Sequence, residues 1–418
     1  MSSDHVSRPS PRVFGASLRR ACLGLLIALA ASVVRADDEG DTATIYLADG
    51  TRQTGVVRSI SASEIVIGRD AVRLAPADVV RLEFANHSLS TPRASLIQLA
   101  NGDRIVAGLS RMSDESVVAL WKSYPDLPPI QIPAASVSGV VVSVPEAAVE
   151  RTRAFNQVFG HREKSDTVLL TNGDRLAGDL VSFDQAALKL SQGGKTLEIE
   201  LPRVRGIAFS SELTSLPAVH KPRVEVTLGD GSRVTGWNAS REPGGPLRLS
   251  SLLASTLELP LSAIASIRFL DGRTTYLSDL WPAESRLAPY FGPISATAPA
   301  QDQSAFGGPL SVRGRQYAKG LGTRSQSRIT YELTGQFRLF QATAAIDDAA
   351  EGKGSVRFAV EADGARLWTS RLVTGSSRPL TVGPLDVTGK HRLTLIVEYG
   401  ELADVDDWAD WCDAVVIR

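Results

Sequence analysis

One short motif recurs four times, and it restricts the middle of the chain to short antiparallel strands. Asp49-Gly50-Thr51-Arg52 with Gly55 is followed by Asn101-Gly102-Asp103-Arg104 with Gly108. Asn172-Gly173-Asp174-Arg175 with Gly178 and Asp230-Gly231-Ser232-Arg233 with Gly236 complete the series. Asp-Gly and Asn-Gly tolerate positive φ at both positions, which is what a tight hairpin turn demands between two extended runs. Each copy ends on an apolar-Pro pair and alternating apolar positions: Ala75-Pro76 to Phe84, Ile132-Pro133 to Val140, Leu201-Pro202 to Phe209, and Leu259-Pro260 to Phe269. Each copy therefore predicts four or five short strands, few enough to close as a strongly bent barrel. The turn glycines are spaced 52, 71 and 58 residues apart, a variation that favours small modules with variable connectors over a stacked solenoid.

The predicted organisation is all-β: tandem small bent β-barrel repeats followed by a C-terminal antiparallel β-sandwich of jelly-roll-like form. The repeats fall at residues 43–86, 95–144, 166–211 and 222–270, with a helical connector at 145–165 and the sandwich at 271–418. Before them, Arg19-Arg20 precedes an apolar run from Ala21 to Ala31, and Val34-Arg35-Ala36 offers small residues for cleavage. Residues 1–36 thus read as a signal peptide, which predicts export to the periplasm or the extracellular space and no membrane association after cleavage. Cys412 would then be the one remaining cysteine, unable to staple its own chain.

Residues 1–36 hold five basic side chains and one acidic, so their removal leaves 40 basic against 45 acidic. An acidic product gives no reason to expect nucleic acid as a partner. The repeats are similar in strand-turn-Arg-Gly order to small barrels of the Sm-like and SH3-like kind, over roughly residues 43–270. Their RNA-binding activity is not carried over to an acidic, exported chain. Arg52, Arg104, Arg175 and Arg233 are placed either to bind an anionic ligand or to cover a hairpin's apolar surface with their stems.

From residue 328 onward strands follow in succession: residues 328–333, 337–344, 355–360 and 392–397 alternate, with turns at Asp363-Gly364 and Gly389. An ordered set of short matches accompanies them. These are Gly308-Pro309-Leu310 with Gly314, Tyr317-Ala318-Lys319-Gly320-Leu321-Gly322, Tyr331-Glu332-Leu333 with Gly335, and Phe340 to Ile346-Asp347-Asp348. Val356-Arg357-Phe358 with Asp363-Gly364, and Asp406-Asp407-Trp408-Ala409-Asp410-Trp411 with Asp413-Ala414, complete it. In this order the stretch resembles the NPCBM family, a carbohydrate-binding module of exported bacterial proteins. The resemblance implies a β-sandwich that binds sugar or acts as a structural companion, with no chemistry of its own. Thr323-Arg324-Ser325 stands where the family usually has a His-Ala or similar pair, so Arg324 is the candidate to meet an acidic sugar or a carboxylate.

Sugar recognition uses flat aromatic area against ring faces and planar polar groups against hydroxyls. The candidate ligand contacts are Trp408, Arg324, Tyr317, Trp411 and Asp407; Trp368 reads as sheet packing, and Tyr399 is a further aromatic candidate. Six acidic residues crowd residues 401–413, and such crowding is relieved by water or by a shared cation. Asp347, Asp348, Asp410 and Asp413 are the candidate oxygen ligands of a structural Ca²⁺. The five histidines are scattered, and neither a His-Glu-x-x-His run, a Gly-x-Ser-x-Gly elbow nor a phosphate loop occurs. The expectation is a non-catalytic carbohydrate-binding or cell-surface protein whose partner is a glycan or surface polysaccharide. The alternative is a scaffold that holds a protein partner through the middle repeats.

Overall fold

The computed structural model describes residues 41–418, apart from residues 85–93, 114, 162, 216, 217, 219, 291–293, 295, 296 and 402. The predicted signal peptide lies outside the described residues. The fold is all-β, with the single helix Ala148–Phe159 among the described residues.

Each repeat contains the same series. In the first, Thr42–Leu47, Arg52–Ile60, Ile65–Ile67 and Val72–Leu74 are followed by a single 3-10 turn at Pro76–Asp78 and then by Val79–Phe84. The turn chemistry is reproduced four times. Asp49 Oδ1 accepts from Thr51 N at 2.8 Å, Asn101 Oδ1 from Asp103 N at 3.1 Å, Asn172 Oδ1 from Asp174 N at 3.1 Å, and Asp230 Oδ1 from Ser232 N at 2.9 Å. The intervening glycines sit at φ of 87°, 90°, 95° and 89°, a region in which a Cβ is penalised. Proline then fits the first helical position of the 3-10 turn in the first repeat, because its missing N–H has no helical partner to lose.

The repeats pair with one another through their final strands. Val79–Phe84 of the first pairs antiparallel with Ile264–Phe269 of the fourth, and Val137–Val141 of the second with Val204–Ala208 of the third. A further bridge sets Arg104 opposite Arg233. The apolar positions of all four repeats merge into one buried core that includes Ile45, Leu82, Ile105, Ile132, Leu188, Ile207, Val226 and Ile267.

Two antiparallel sheets form the C-terminal sandwich. One runs Ala300–Gln301, Gly320–Arg324, Trp408–Ile417, Leu339–Ile346, Leu380–Asp386; the other runs Glu284–Leu287, Ser327–Glu332, Arg392–Tyr399, Ser355–Ala362, Ala365–Thr369. Trp411, Phe340, Phe358, Tyr331 and Leu395 fill the space between them. Nine of the ten residues of Trp408–Ile417 are buried, because this strand is covered on both faces. On its outer face Cys412 packs with Leu310, Val312 and Tyr317, and Val415 and Ile417 pack with Ala48 and Val80 of the first repeat. Cys412 is a free thiol in this buried position.

Candidate functional site

Antiparallel pairing of Gly320–Arg324 with Trp408–Ile417 places Arg324 directly across from Trp408. The Arg324 guanidinium lies over the indole, 3.8 Å from its centroid. Phe306 meets the same indole edge-on, with centroids 5.1 Å apart and planes at 72°. The strand carries glycine where the loop bearing Phe306 comes closest. A Cβ on Gly322 would stand 2.3 Å from Ala305 N and 2.3 Å from Gln303 O, so only glycine lets that loop lie against the strand.

Arg324 is exposed and Trp408 half-buried. Burial against the ring lowers the guanidinium pKa, and the Asp404 carboxylate partly offsets this. Asp404 also accepts from Tyr290 N at 2.9 Å, and Tyr290 lies edge-on to Tyr399 with centroids 6.0 Å apart. Tyr399 donates to the Ala288 carbonyl at 2.9 Å, and desolvation together with Asp404 and Asp407 raises its pKa. The result is one edge of the sandwich that combines stacked cation, aromatic rings and a carboxylate. A guanidinium lying over a ring keeps its N–H groups in its own plane, where they can donate outward to hydroxyl or carboxylate oxygens.

The other predicted ligand contacts lie elsewhere. Trp411 is fully buried, edge-on to Phe358 at 5.0 Å, and so belongs to the core. Asp407 is 2% exposed, and its Oδ1 accepts from Ser355 N at 2.6 Å; it ties the acidic loop to the opposite sheet rather than facing a ligand. Burial raises its pKa. Tyr317 is buried beneath Arg315, whose guanidinium is 4.9 Å from its ring, on the side that faces the repeats. Trp368 packs against the sandwich core, as its strand pattern predicts.

Three of the four predicted oxygen ligands of a cation, Asp347, Asp348 and Asp413, accept from nearby donors. Asp347 caps a 3-10 turn by accepting from Ala349 N at 2.7 Å and also accepts from Ser311 N at 3.0 Å. Asp348 accepts from Ser311 Oγ, Arg313 N and Gly314 N at 2.7, 2.6 and 2.8 Å. Asp410 is fully buried beside Asp347, and desolvation, then that neighbouring charge, push its pKa well up. Asp413 accepts from Arg268 at 2.8 Å and from Arg81 at 3.1 Å. Among the described residues no group of three or more His, Cys, Asp or Glu side chains is arranged to hold a metal ion. Backbone N–H groups and arginines meet the carboxylates of Asp347, Asp348 and Asp413.

Sequence reasoning did not single out Phe306 or Tyr290. Both lie on loops whose path depends on distant strands, and the one local signal for Phe306 is the glycine at 322.

Two curated relatives each match about a third of the chain. A protein of Renibacterium salmoninarum named "Putative endo-alpha-N-acetylgalactosaminidase" is 31% identical over 144 residues, 34% of this chain and 9% of that protein. The alpha-1,3-galactosidase B of Akkermansia muciniphila is 29% identical over 157 residues, 33% of this chain and 20% of that protein. The chain therefore spans a fifth or less of the length of these relatives. Among solved structures, the CBM51 from Clostridium perfringens GH95 in complex with methyl-galactose is 25% identical. That alignment covers 34% of this chain and 99% of that one, with a TM-score of 0.29. The family comparison concerns the same stretch that the sandwich occupies: residues 273–417 match the model of the NPCBM/NEW2 domain.

Proposed function

We propose that this chain is an exported, non-catalytic carbohydrate-binding protein and that its C-terminal sandwich holds a glycan at the edge formed by Trp408 and Arg324. The observation that carries the reading is the stacked, solvent-facing pair of Arg324 and Trp408 within a domain that matches a carbohydrate-binding family. The aromatic stack supplies apolar area for a sugar ring, and the guanidinium edge with Asp404 supplies polar groups for its hydroxyls. Export is supported by the apolar run and cleavage residues at the N-terminus. No helix among the described residues is long and apolar enough to cross a membrane.

Galactosides are the first ligands to test, since the two curated relatives are named for galactose or N-acetylgalactosamine linkages. The experiment is a glycan array followed by calorimetric titration of the best hit into the wild-type chain, Trp408→Ala and Arg324→Ala. Saturable binding lost in both variants supports the site. Binding that persists unchanged in both places the glycan elsewhere, and the absence of any array hit favours the scaffold reading. One observation favours a scaffold role for the third repeat: among the described residues Lys195–Glu200 pairs on one side only, with Ala187–Gln192, and Leu197 on it is exposed. An open edge of this kind can accept a strand from a protein partner.

A further inference from the structure

Where the second and fourth repeats meet the sandwich, two adjoining cavities of about 520 and 630 Å³ share Arg104, Arg233 and Asp302 in their walls. Each has the size of a small-ligand pocket. Arg104 and Arg233 follow the Asn101-Gly102 and Asp230-Gly231 turns, and the bridge between their strands makes them direct register partners. Like charges placed opposite each other across a ladder are destabilising, and this pair has little to offset it. Arg104 Nε donates to Gln98 Oε1 at 3.1 Å, and Arg233 Nη1 donates to the Ala318 carbonyl at 2.9 Å. Both acceptors are neutral. Among the described residues neither guanidinium has a carboxylate within ion-pair distance, whereas in the wall of the first cavity Arg268 has two and Arg315 has one.

The acidic groups of the cavity walls are already engaged: Glu225 pairs with Arg268, Asp279 pairs with Lys319, and Asp103 accepts from Asn101 Nδ2 and from Thr235 N and Oγ1. Glu83 accepts from Tyr46 and pairs with Arg81 and Arg315; Asp302 pairs with Lys319 and accepts from Gly320 N. Arg151, in the wall of the first cavity, donates to the carbonyls of Pro145 and Glu146. Burial, and then the Arg233 charge, depress the Arg104 pKa to about 9, and the Asp302 carboxylate only partly offsets them.

We propose that this junction is a second ligand site, in which Arg104 and Arg233 together clamp an oxyanion (carboxylate, sulfate or phosphate) carried by a molecule of sugar size. Two guanidinium forks facing one cavity suit bidentate recognition of a planar or tetrahedral oxyanion, and the bound charge would relieve the repulsion between them. The site is separate from the Trp408 edge, and neither Trp408 nor Arg324 lines it.

The test is thermal melting of the whole chain in sodium sulfate, sodium phosphate or sodium glucuronate, each against sodium chloride at matched ionic strength, followed by calorimetric titration of the anion with the largest effect. The expected result is a saturable rise in Tm with at least one oxyanion beyond the chloride control, with affinity reduced roughly tenfold or more in Arg104→Gln and in Arg233→Gln. Arg104→Lys, which keeps the charge but loses the fork, should fall between wild type and Arg104→Gln. A glucuronate response exceeding those of sulfate and phosphate identifies an acidic sugar as the ligand; the reverse order identifies a sulfated or phosphorylated one. Equal melting in chloride and in all three oxyanions overturns the proposal, whether or not the variants fold. Undiminished binding in a folded Arg104→Gln/Arg233→Gln double variant overturns it as well. Neutral galactose, the probe for the other site, should not compete.

Discussion

Arg268 Nη2 donates to Asp413 Oδ1 at 2.8 Å, joining the last strand of the fourth repeat to the last strand of the sandwich. Both side chains are buried, and Arg81 of the first repeat adds a second guanidinium at 3.1 Å on the other carboxylate oxygen. Asp413 occupies a bulge in its strand, with φ of 49°, where the register against Leu339–Ile346 shifts. The extra residue turns its carboxylate away from the sandwich core and toward the repeats.

Replacing Asp413 should therefore loosen the whole assembly. Asp413→Asn keeps the shape but leaves two buried arginines short of a counter-charge, and a loss of about 3 kcal/mol is expected by urea unfolding. The sign of the pH effect follows from the arginines holding the carboxyl below the usual range. Its contribution is fully present above the unfolded pKa and is lost as pH falls through the depressed folded value. Wild type should lose this increment in acid, and Asp413→Asn should lack that part of the pH dependence.

Asp410 should behave in the opposite way. Its folded pKa is raised well above the unfolded one, so its favourable contribution is present below the ordinary carboxylate range and is lost as pH rises through the raised value. Asp410→Asn, neutral at every pH, should match or exceed the wild-type Tm at pH 8 and lose that advantage toward pH 4. A melting series across pH on both proteins checks this.

At the candidate glycan edge, Gly322→Ala should separate loop placement from ligand chemistry. The added Cβ meets backbone atoms at 2.3 Å, so the loop carrying Phe306 must move. A stability loss of about 1–3 kcal/mol is expected from such overpacking, together with weaker glycan binding, although no group that touches the ligand has been removed. Titration and denaturant unfolding of the same variant measure both.

The turn glycines make a purely conformational prediction. A Cβ on Gly173 has no neighbour within 4 Å, yet its φ is 95°. Gly173→Ala should cost about 1–2 kcal/mol through backbone strain alone, and Gly173→Asn, which tolerates positive φ, should cost less. Chemical denaturation of the two variants tests the ordering.

The hairpins were legible because an Asx-Gly turn is a local property of three or four residues. The sandwich was legible from its ordered motifs. How the repeats join was not: Leu82 opposite Ile267 and Ile207 opposite Val140 are pairings between strands far apart in sequence, and no local pattern records them. Trp408 and Trp411 show the limit most clearly. They are three residues apart on one strand, so alternation puts them on opposite faces, but which face meets the core depends on Phe358 in the other sheet. The acidic segment misled for a related reason. Crowded carboxylates usually face water, yet Asp407, Asp410 and Asp413 are each under 5% exposed, because the strand they flank or belong to is covered from both sides.

That doubly covered strand, Trp408–Ile417, also has a mechanical meaning. Its first residue carries the half-buried indole, Asp413 further along is fixed to the repeats, and neighbouring strands hold both flanks by antiparallel ladders. Tension between a tethered ligand at Trp408 and the body anchored at Asp413 would run along the strand and load those ladders in shear, so that many hydrogen bonds share the force instead of opening one at a time.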